Sequence, residues 1–158
     1  MELGQPLQSI ASTAGAPSAV VVPGDAPVAI RGRAPDGPGF WFAPTVLCPV
    51  DRDDRAVREE IFGPVACVIP FRDEEEAVAL ANDTIYGLSG SIWTRDGAKA
   101  VRVARAVETG VLSINSNTSV RVATPFGGFK QSGYGRELGP HAVEHYTEVK
   151  TVYYATEG

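Results

Sequence analysis

Two adjacent carboxylates, Glu59 and Glu60, lead directly into Ile61-Phe62 and then into a Gly-Pro pair within "REEIFGPV". A carboxylate accepts hydrogen bonds through two oxygens, and an aromatic face packs against flat groups. The Gly-Pro pair predicts that the carboxylate and the ring are held at a fixed place on a rigid turn. The alternative is a solvated glutamate at a helix end, with Phe62 in the core.

The two cysteines, Cys48 and Cys67, are the candidate nucleophiles. Cys67 lies within the apolar run "VACVIPF" and is predicted to be buried and inert, whereas Cys48 has no positive neighbour in sequence to lower its pKa. Two cysteines form no disulfide framework, which favours a reducing cytoplasm. No catalytic residue is predicted in this chain.

The segment "HAVEH", residues 141–145, matches the H-x-x-E-H pattern of one class of zinc proteases. A zinc site needs a third ligand and an open position, but the segment gives way to the β-prone "YTEVKTVYY" and the chain has no other histidine. No metal site is predicted.

Composition and charge exclude several classes of protein. The 158 residues carry 14 basic and 19 acidic side chains, for a net charge of −5, without a basic cluster. Nucleic acids and anionic membranes need a concentrated positive face, so neither is predicted as a partner. No signal peptide or apolar membrane span is recognisable.

The elements that position these groups follow an alternating order. Apolar runs predict strands at 64–71, 88–94 and 111–115, and helices begin after the capping residues Asp73 and Asp96. Strand–helix–strand–helix–strand order predicts an α/β fold with a parallel sheet.

Two stretches lie outside that alternation. Residues 1–38 form a weakly specified leader, with short strands possible at 18–22 and 28–31. Residues 116–140 are rich in glycine and have no periodicity, and they follow the carboxyl end of a strand, where open α/β sheets bind ligands. A flexible surface loop is the alternative.

Four motifs occur in a fixed order: "EEIFGPV", "ANDTIYGLSGSIWT", "PFGGFKQSGYGRELG" and "YTEVKTV". From about residue 39 to 152, the chain resembles the C-terminal part of the NAD(P)-dependent aldehyde dehydrogenase superfamily. The resemblance implies a fragment of a three-layer parallel-sheet catalytic domain at 39–145. It also implies an oligomerisation strand and tail at 146–158.

The resemblance implies roles for single residues. Glu60 matches the glutamate that hydrogen-bonds the nicotinamide-ribose hydroxyls of NAD or NADP, and Phe62 packs on the cofactor at that end. Thr118, Val120 and Phe126 match positions that line the aldehyde tunnel. Plain packing is the alternative for each of these wall positions.

Family chemistry needs a cysteine thiolate, oxyanion donors and a water-activating glutamate, all of which match positions upstream of this chain's matching region. A glycine-rich cradle for the cofactor pyrophosphate is also absent, because "GYGRELG" has the wrong spacing. We therefore expect an oxidoreductase segment that is inactive alone. The alternatives are an interaction module that forms homo-oligomers or docks on full-length relatives through 146–154, and a weak nucleotide-binding remnant.

Overall fold

The computed structural model describes residues 27–118 and 120–156. Their elements in chain order are β1 (Val28–Arg31), β2 (Thr45–Leu47), α1 (Arg55–Arg58), β3 (Val65–Cys67), α2 (Glu74–Asn82), β4 (Tyr86–Gly87), β5 (Ser89–Ile92), α3 (Gly97–Ala106), β6 (Val111–Ile114), β7 (Phe129–Lys130) and a 3₁₀ turn (Ala142–Tyr146). No helix among them is long and apolar enough to cross a bilayer.

α2 and α3 begin where the sequence predicts them, whereas the short helix α1 was not predicted. The Asp73 carboxylate accepts from the Glu76 N–H at 2.9 Å, and the Glu76 carboxylate accepts from the Arg72 N–H at 2.7 Å. Asp96 accepts from the N–H groups of Ala98 and Lys99. These bonds satisfy backbone donors that have no partner within a helix, and they fix the start of α2 and of α3.

The strands form three small sheets rather than one continuous sheet. The first has the order β1-β2-β3, with β1 antiparallel to β2 and β2 parallel to β3. β5 pairs with β6 in parallel, and β4 pairs with β7 antiparallel. The α/β alternation is confirmed, but a continuous parallel sheet is not, because β3 and β5, which α2 connects, do not pair.

The predicted strands are present but shorter than predicted. The runs at 64–71, 88–94 and 111–115 shrink to β3, β5 and β6, and the strand at 28–31 appears as predicted. The strand proposed at 18–22 lies outside the described residues.

The C-terminal segment forms no strand within this chain. Thr147 has extended backbone geometry (φ −133°, ψ 152°), and residues 147–156 have no regular secondary structure. An extended segment becomes a strand only when another strand satisfies its N–H and C=O groups. The oligomerisation strand at 146–154 therefore stays a prediction.

The core of the described chain is small. The buried hydrophobic side chains are Leu47, Val50, Ile92, Ala100 and Val107. The Arg102 guanidinium of α3 donates two hydrogen bonds, of 3.0 and 2.8 Å, to the Glu74 carboxylate of α2. Because few hydrophobic side chains are buried for a chain of this length, much of the apolar surface faces outward.

Candidate active site wall

The two adjacent carboxylates have different environments. Glu59 accepts two hydrogen bonds from the Arg55 guanidinium, at 2.9 and 2.8 Å, and this bonding holds the pKa of Glu59 below its usual range. Glu60 is half-buried, and its carboxylate accepts no hydrogen bond from any described residue. Glu59 is therefore occupied by Arg55, whereas the Glu60 carboxylate has no hydrogen-bond partner among the described residues.

Glu60 faces an open cavity of about 1060 Å³. The glycine-rich loop provides most of the opposite wall, including Val120 and Phe126, and Tyr86 and Leu88 complete the side next to β5. The structure thus brings Glu60 together with two of the three predicted substrate-pocket residues, although these lie 60 or more residues apart in sequence.

Two predicted site residues lie outside this cavity. The Phe62 ring is 55% exposed and does not contribute to the wall. Thr118 is exposed, and its backbone N–H bonds the Ser116 hydroxyl at 3.1 Å. Both are close in sequence to residues that line the cavity, Phe62 to Glu60 and Thr118 to Val120. Their roles stay predictions.

The glycine-rich loop is ordered by its own backbone. Phe126 and Glu137 exchange two backbone hydrogen bonds of 2.7 Å, which close the loop beside the cavity. A Cβ atom at Gly128 would lie 2.5 Å from the Ser132 Cβ, so this position requires glycine. These contacts hold residues 126–137 against one another. Ligand binding by this loop stays a prediction, and a flexible surface loop stays its alternative.

Arg136 fixes the same loop from within. Its guanidinium lies 5.4 Å from the centre of the Phe129 ring and donates to the carbonyls of Gly128 and Gly135 at 3.1 and 2.6 Å. His145 Nε2 accepts from the Arg136 N–H at 3.3 Å, and the His145 side chain lines the cavity.

We call the backbone carbonyls of Asn82, Asp83 and Thr84 the polar hub. They accept hydrogen bonds from Lys130 of the glycine-rich loop and from Arg58 of the turn that carries Glu60. The Lys130 ammonium donates to the carbonyls of Asn82 and Thr84 at 2.7 and 3.2 Å, and it pairs with the Glu108 carboxylate at 2.9 Å. Cations stabilise a helix C-terminus because its last carbonyls carry partial negative charge. The loop is therefore anchored to the end of α2.

Arg58 anchors the turn that carries Glu60 to the same hub. It donates to the Asp83 carbonyl at 2.8 Å, to the Asp83 carboxylate at 2.9 Å and to Asp53 at 2.8 Å. These bonds raise the pKa of Arg58 and lower that of Asp83. Arg58 and Lys130 therefore both bind the residues at the end of α2.

Sequence reasoning missed these anchors and several lining residues. Arg58 stands directly before the two glutamates, and Lys130 is one of two basic residues within the glycine-rich motif. Both positions could have been noticed, but their shared acceptor at 82–84 is visible only in three dimensions. The missed lining residues are Tyr86, Gln131, Tyr134, Glu137 and His145.

Cys67 and the two histidines have hydrogen-bond partners. The Cys67 thiol donates to the Ala56 carbonyl at 3.3 Å, and burial raises its pKa, which disfavours the reactive thiolate. His141 Nδ1 lies 2.8 Å from a Glu144 oxygen. Over residues 27–118 and 120–156, no three potential metal ligands cluster together.

Comparison with known proteins identifies the family. A betaine aldehyde dehydrogenase of Agrobacterium fabrum is 51% identical over 120 residues, which are 76% of this chain and 24% of that protein. A succinate-semialdehyde dehydrogenase [NADP(+)] of Deinococcus radiodurans is 48% identical over 127 residues, which are 80% of this chain and 27% of that protein.

A solved structure agrees with these relatives. The Mycobacterium tuberculosis aldehyde dehydrogenase complexed with NAD⁺ matches with a TM-score of 0.73 and 45% identity, over 78% of this chain and 26% of that chain. The chain thus spans about a quarter of the length of the relatives that it matches. Because the profile of the aldehyde dehydrogenase family matches residues 7–152, the chain belongs to that family.

Proposed function

We propose that this chain supplies one wall of the active site of an NAD(P)-dependent aldehyde dehydrogenase, which oxidises an aldehyde to a carboxylic acid. Family membership supports the reaction class. The observation that carries the proposal is the difference between the two adjacent carboxylates: Arg55 engages Glu59, whereas Glu60 faces the cavity without a partner among the described residues.

Glu60 is the residue that binds the cofactor in this proposal. Its two carboxylate oxygens are free to accept from the vicinal hydroxyls of the nicotinamide ribose, and such charge-assisted bonds are stronger than neutral ones. When bound, NAD(P)⁺ accepts the hydride that leaves the substrate. The half-exposed ring of Phe62 packs on the cofactor at the same end.

The substrate side of the wall is the glycine-rich loop. Phe126 and Val120 present apolar surface to the cavity. Thr118 lies outside the cavity in this structure, and its place in the substrate tunnel rests on the family resemblance alone. A wall of this kind orients an aldehyde by packing and excludes water from the reacting carbon.

The nucleophile comes from outside this wall in the proposal. Cys67 is tied to a backbone carbonyl with a raised pKa, and Cys48 is half-buried and does not line the cavity. Residues 39–145 thus act as a segment of a catalytic domain, preceded by the leader 1–38 and followed by the tail 146–158. Two free cysteines and no disulfide favour a cytoplasmic location.

A second function has its own observation. The tail exposes Val149, Val152 and Tyr153 almost fully, at 98%, 79% and 89%. β-branched and aromatic side chains on an extended, unpaired segment favour strand addition to another chain. The chain would then form homo-oligomers or dock on a full-length relative through 146–154.

The test of the first proposal is reconstitution. The purified chain alone is expected to form no NADH from aldehyde and NAD⁺. Mixing it with the part of the A. fabrum relative that precedes its matching segment is expected to restore aldehyde-dependent NADH formation. Activity of the chain alone, abolished by Cys48→Ala or Cys67→Ala, would contradict the proposal, and so would an inactive mixture in which the two polypeptides form a stable complex.

A further inference from the structure

The turn that carries Glu60 is bonded to the rest of the fold at its two ends. At one end, the Glu59 N–H closes the last turn of α1 with a hydrogen bond of 2.8 Å. At the other end, the Pro64 carbonyl accepts from the Thr45 N–H of β2 at 2.9 Å. Between these points, the N–H groups of residues 60–62 donate to no residue that the structure describes. The position of Glu60 therefore depends on what holds each end of the turn.

Arg58 ends α1 and stands two residues before Glu60. Its guanidinium donates to the Asp83 carbonyl at 2.8 Å, to the Asp83 carboxylate at 2.9 Å and to the Asp53 carboxylate at 2.8 Å. The Arg58 side chain is 34% exposed, against 76% for Arg55 on the same helix. Bonds from a charged group are stronger where water is excluded, so the contacts of Arg58 restrain the turn more than those of Arg55 do.

The acceptor of Arg58 is itself held in place. Asp83 caps the C-terminus of α2, and its N–H closes the last turn of that helix at 3.0 Å. The neighbouring Asn82 side chain donates to the Ala106 carbonyl at 2.9 Å and accepts from the Glu108 N–H at 2.8 Å. Because these two residues lie at the end of α3, Arg58 ties the turn to the place where both helices end.

The cavity wall opposite Glu60 is tied to the same place. Lys130 of the glycine-rich loop binds the two carbonyls of the polar hub that flank the one bound by Arg58. Glu60 and this loop both line the cavity of about 1060 Å³. The carboxylate and the wall that faces it are therefore both bonded to residues 82–84.

We propose that Arg58 is the positioning residue of the cofactor carboxylate, acting through Glu60 without touching the cofactor itself. The inference rests on the proposed function, in which Glu60 accepts from the two hydroxyls of the nicotinamide ribose. Both bonds form only when the carboxylate is in place, and a misplacement of about 1 Å in a catalytic site costs as much as about a hundredfold. The bonds of Arg58 hold Glu60 in that place before the cofactor binds.

NMR relaxation of the backbone amides tests this restraint on the whole chain, without cofactor. In Arg58→Met, the order parameters of the Glu60 and Phe62 amides are expected to fall from about 0.85 to about 0.6, the range of flexible backbone. Arg55→Met is the matched control, because it also removes side-chain bonds from α1, and it is expected to leave these order parameters unchanged. Unchanged values in Arg58→Met overturn the inference.

Steady-state kinetics separate a positioning role from a purely structural one. The enzyme is the chain mixed with the part of the A. fabrum relative that precedes its matching segment. Arg58→Met is expected to raise KM for NAD⁺ about fivefold or more with little change in kcat, because it weakens binding of the cofactor throughout the reaction. In the Glu60→Gln background, the same substitution is expected to leave KM unchanged, because its effect passes through Glu60.

Arg58→Lys is the second variant, in case Arg58→Met does not fold. Its ammonium keeps the charge but lacks the planar fork that reaches Asp83 and Asp53 together. It is expected to raise KM for NAD⁺ by a smaller factor than Arg58→Met, and this rise should also disappear in the Glu60→Gln background. Arg55→Met is expected to leave both KM and kcat unchanged.

Failure of the inference and failure of the proposed function give different results. If Glu60→Gln leaves KM for NAD⁺ unchanged, the proposed function is wrong and the inference falls with it. If Glu60→Gln raises KM but neither Arg58 variant does, only the positioning role is wrong. Effects of Arg58→Met and Glu60→Gln that multiply in the double variant assign Arg58 to general stability and also overturn the inference. If the mixture has no activity, the order parameters of the free chain decide.

Discussion

Replacing Lys130 by methionine removes the cation that anchors the glycine-rich loop to the polar hub. The ammonium makes one short bond of 2.7 Å to the Asn82 carbonyl and a longer one of 3.2 Å to the Thr84 carbonyl, and its side chain is only 23% exposed. A hydrogen bond from a charged donor contributes about 1.5–3 kcal/mol. The pair with Glu108 adds little, because that carboxylate is 58% exposed.

The expected loss in free energy of unfolding is about 2–3 kcal/mol, since methionine keeps most of the aliphatic stem and only the polar contacts disappear. Urea unfolding monitored by circular dichroism measures this loss. Arg55→Met is the matched control, because it also removes two hydrogen bonds but from a guanidinium that is 76% exposed. We expect no measurable change in that variant.

A loss below about 0.5 kcal/mol in Lys130→Met would refute the reasoning, because it would fall in the range of ordinary surface substitutions. An equal loss in both variants would also count against it, since burial would then make no difference to the two contacts.

Three further results are expected. Asp83→Asn lowers the free energy of unfolding at pH 7, because Arg58 holds the pKa of this carboxyl below its unfolded value of about 3.9. The difference in free energy of unfolding from wild type should shrink as pH falls below about 4. Urea titrations at several pH values measure this difference, and a difference independent of pH would count against the reasoning. The chain alone binds NAD(P)⁺ weakly or undetectably, because it offers groups only for the nicotinamide end; calorimetry giving micromolar or tighter affinity would favour a nucleotide-binding function. Deleting residues 146–158 releases monomers in light scattering, and an intact chain that is already monomeric at high concentration and binds no relative would show that the tail is not an interface.

Local chemistry made much of this fold predictable. The aspartate caps at Asp73 and Asp96 and the apolar runs specify α2, α3 and the flanking strands within a few residues. Strand lengths were overestimated because apolar character extends past the residues that pair. The alternation of strands and helices in the sequence indicates which elements form, and it led to the prediction of one continuous sheet. It does not show whether each strand has a neighbour within this chain to pair with.

The candidate site was predictable only in part. The motif around Glu60 identified the carboxylate, yet sequence does not show that Arg55 engages Glu59 one residue earlier. The anchoring of Lys130 and Arg58 to one set of carbonyls depends on contacts between residues 25 to 48 positions apart. Such long-range geometry has no signature in a single sequence.

The central claim is that Glu60, and not its neighbour, binds the cofactor. The most direct test is the kinetics of Glu60→Gln and Glu59→Gln in the chain reconstituted with the upstream part of the A. fabrum relative. Loss of charge-assisted bonds is expected to lower kcat/KM for NAD⁺ about 10- to 150-fold in Glu60→Gln, with kcat/KM unchanged in Glu59→Gln. Equal effects in the two variants, or an unchanged Glu60→Gln, would contradict the claim.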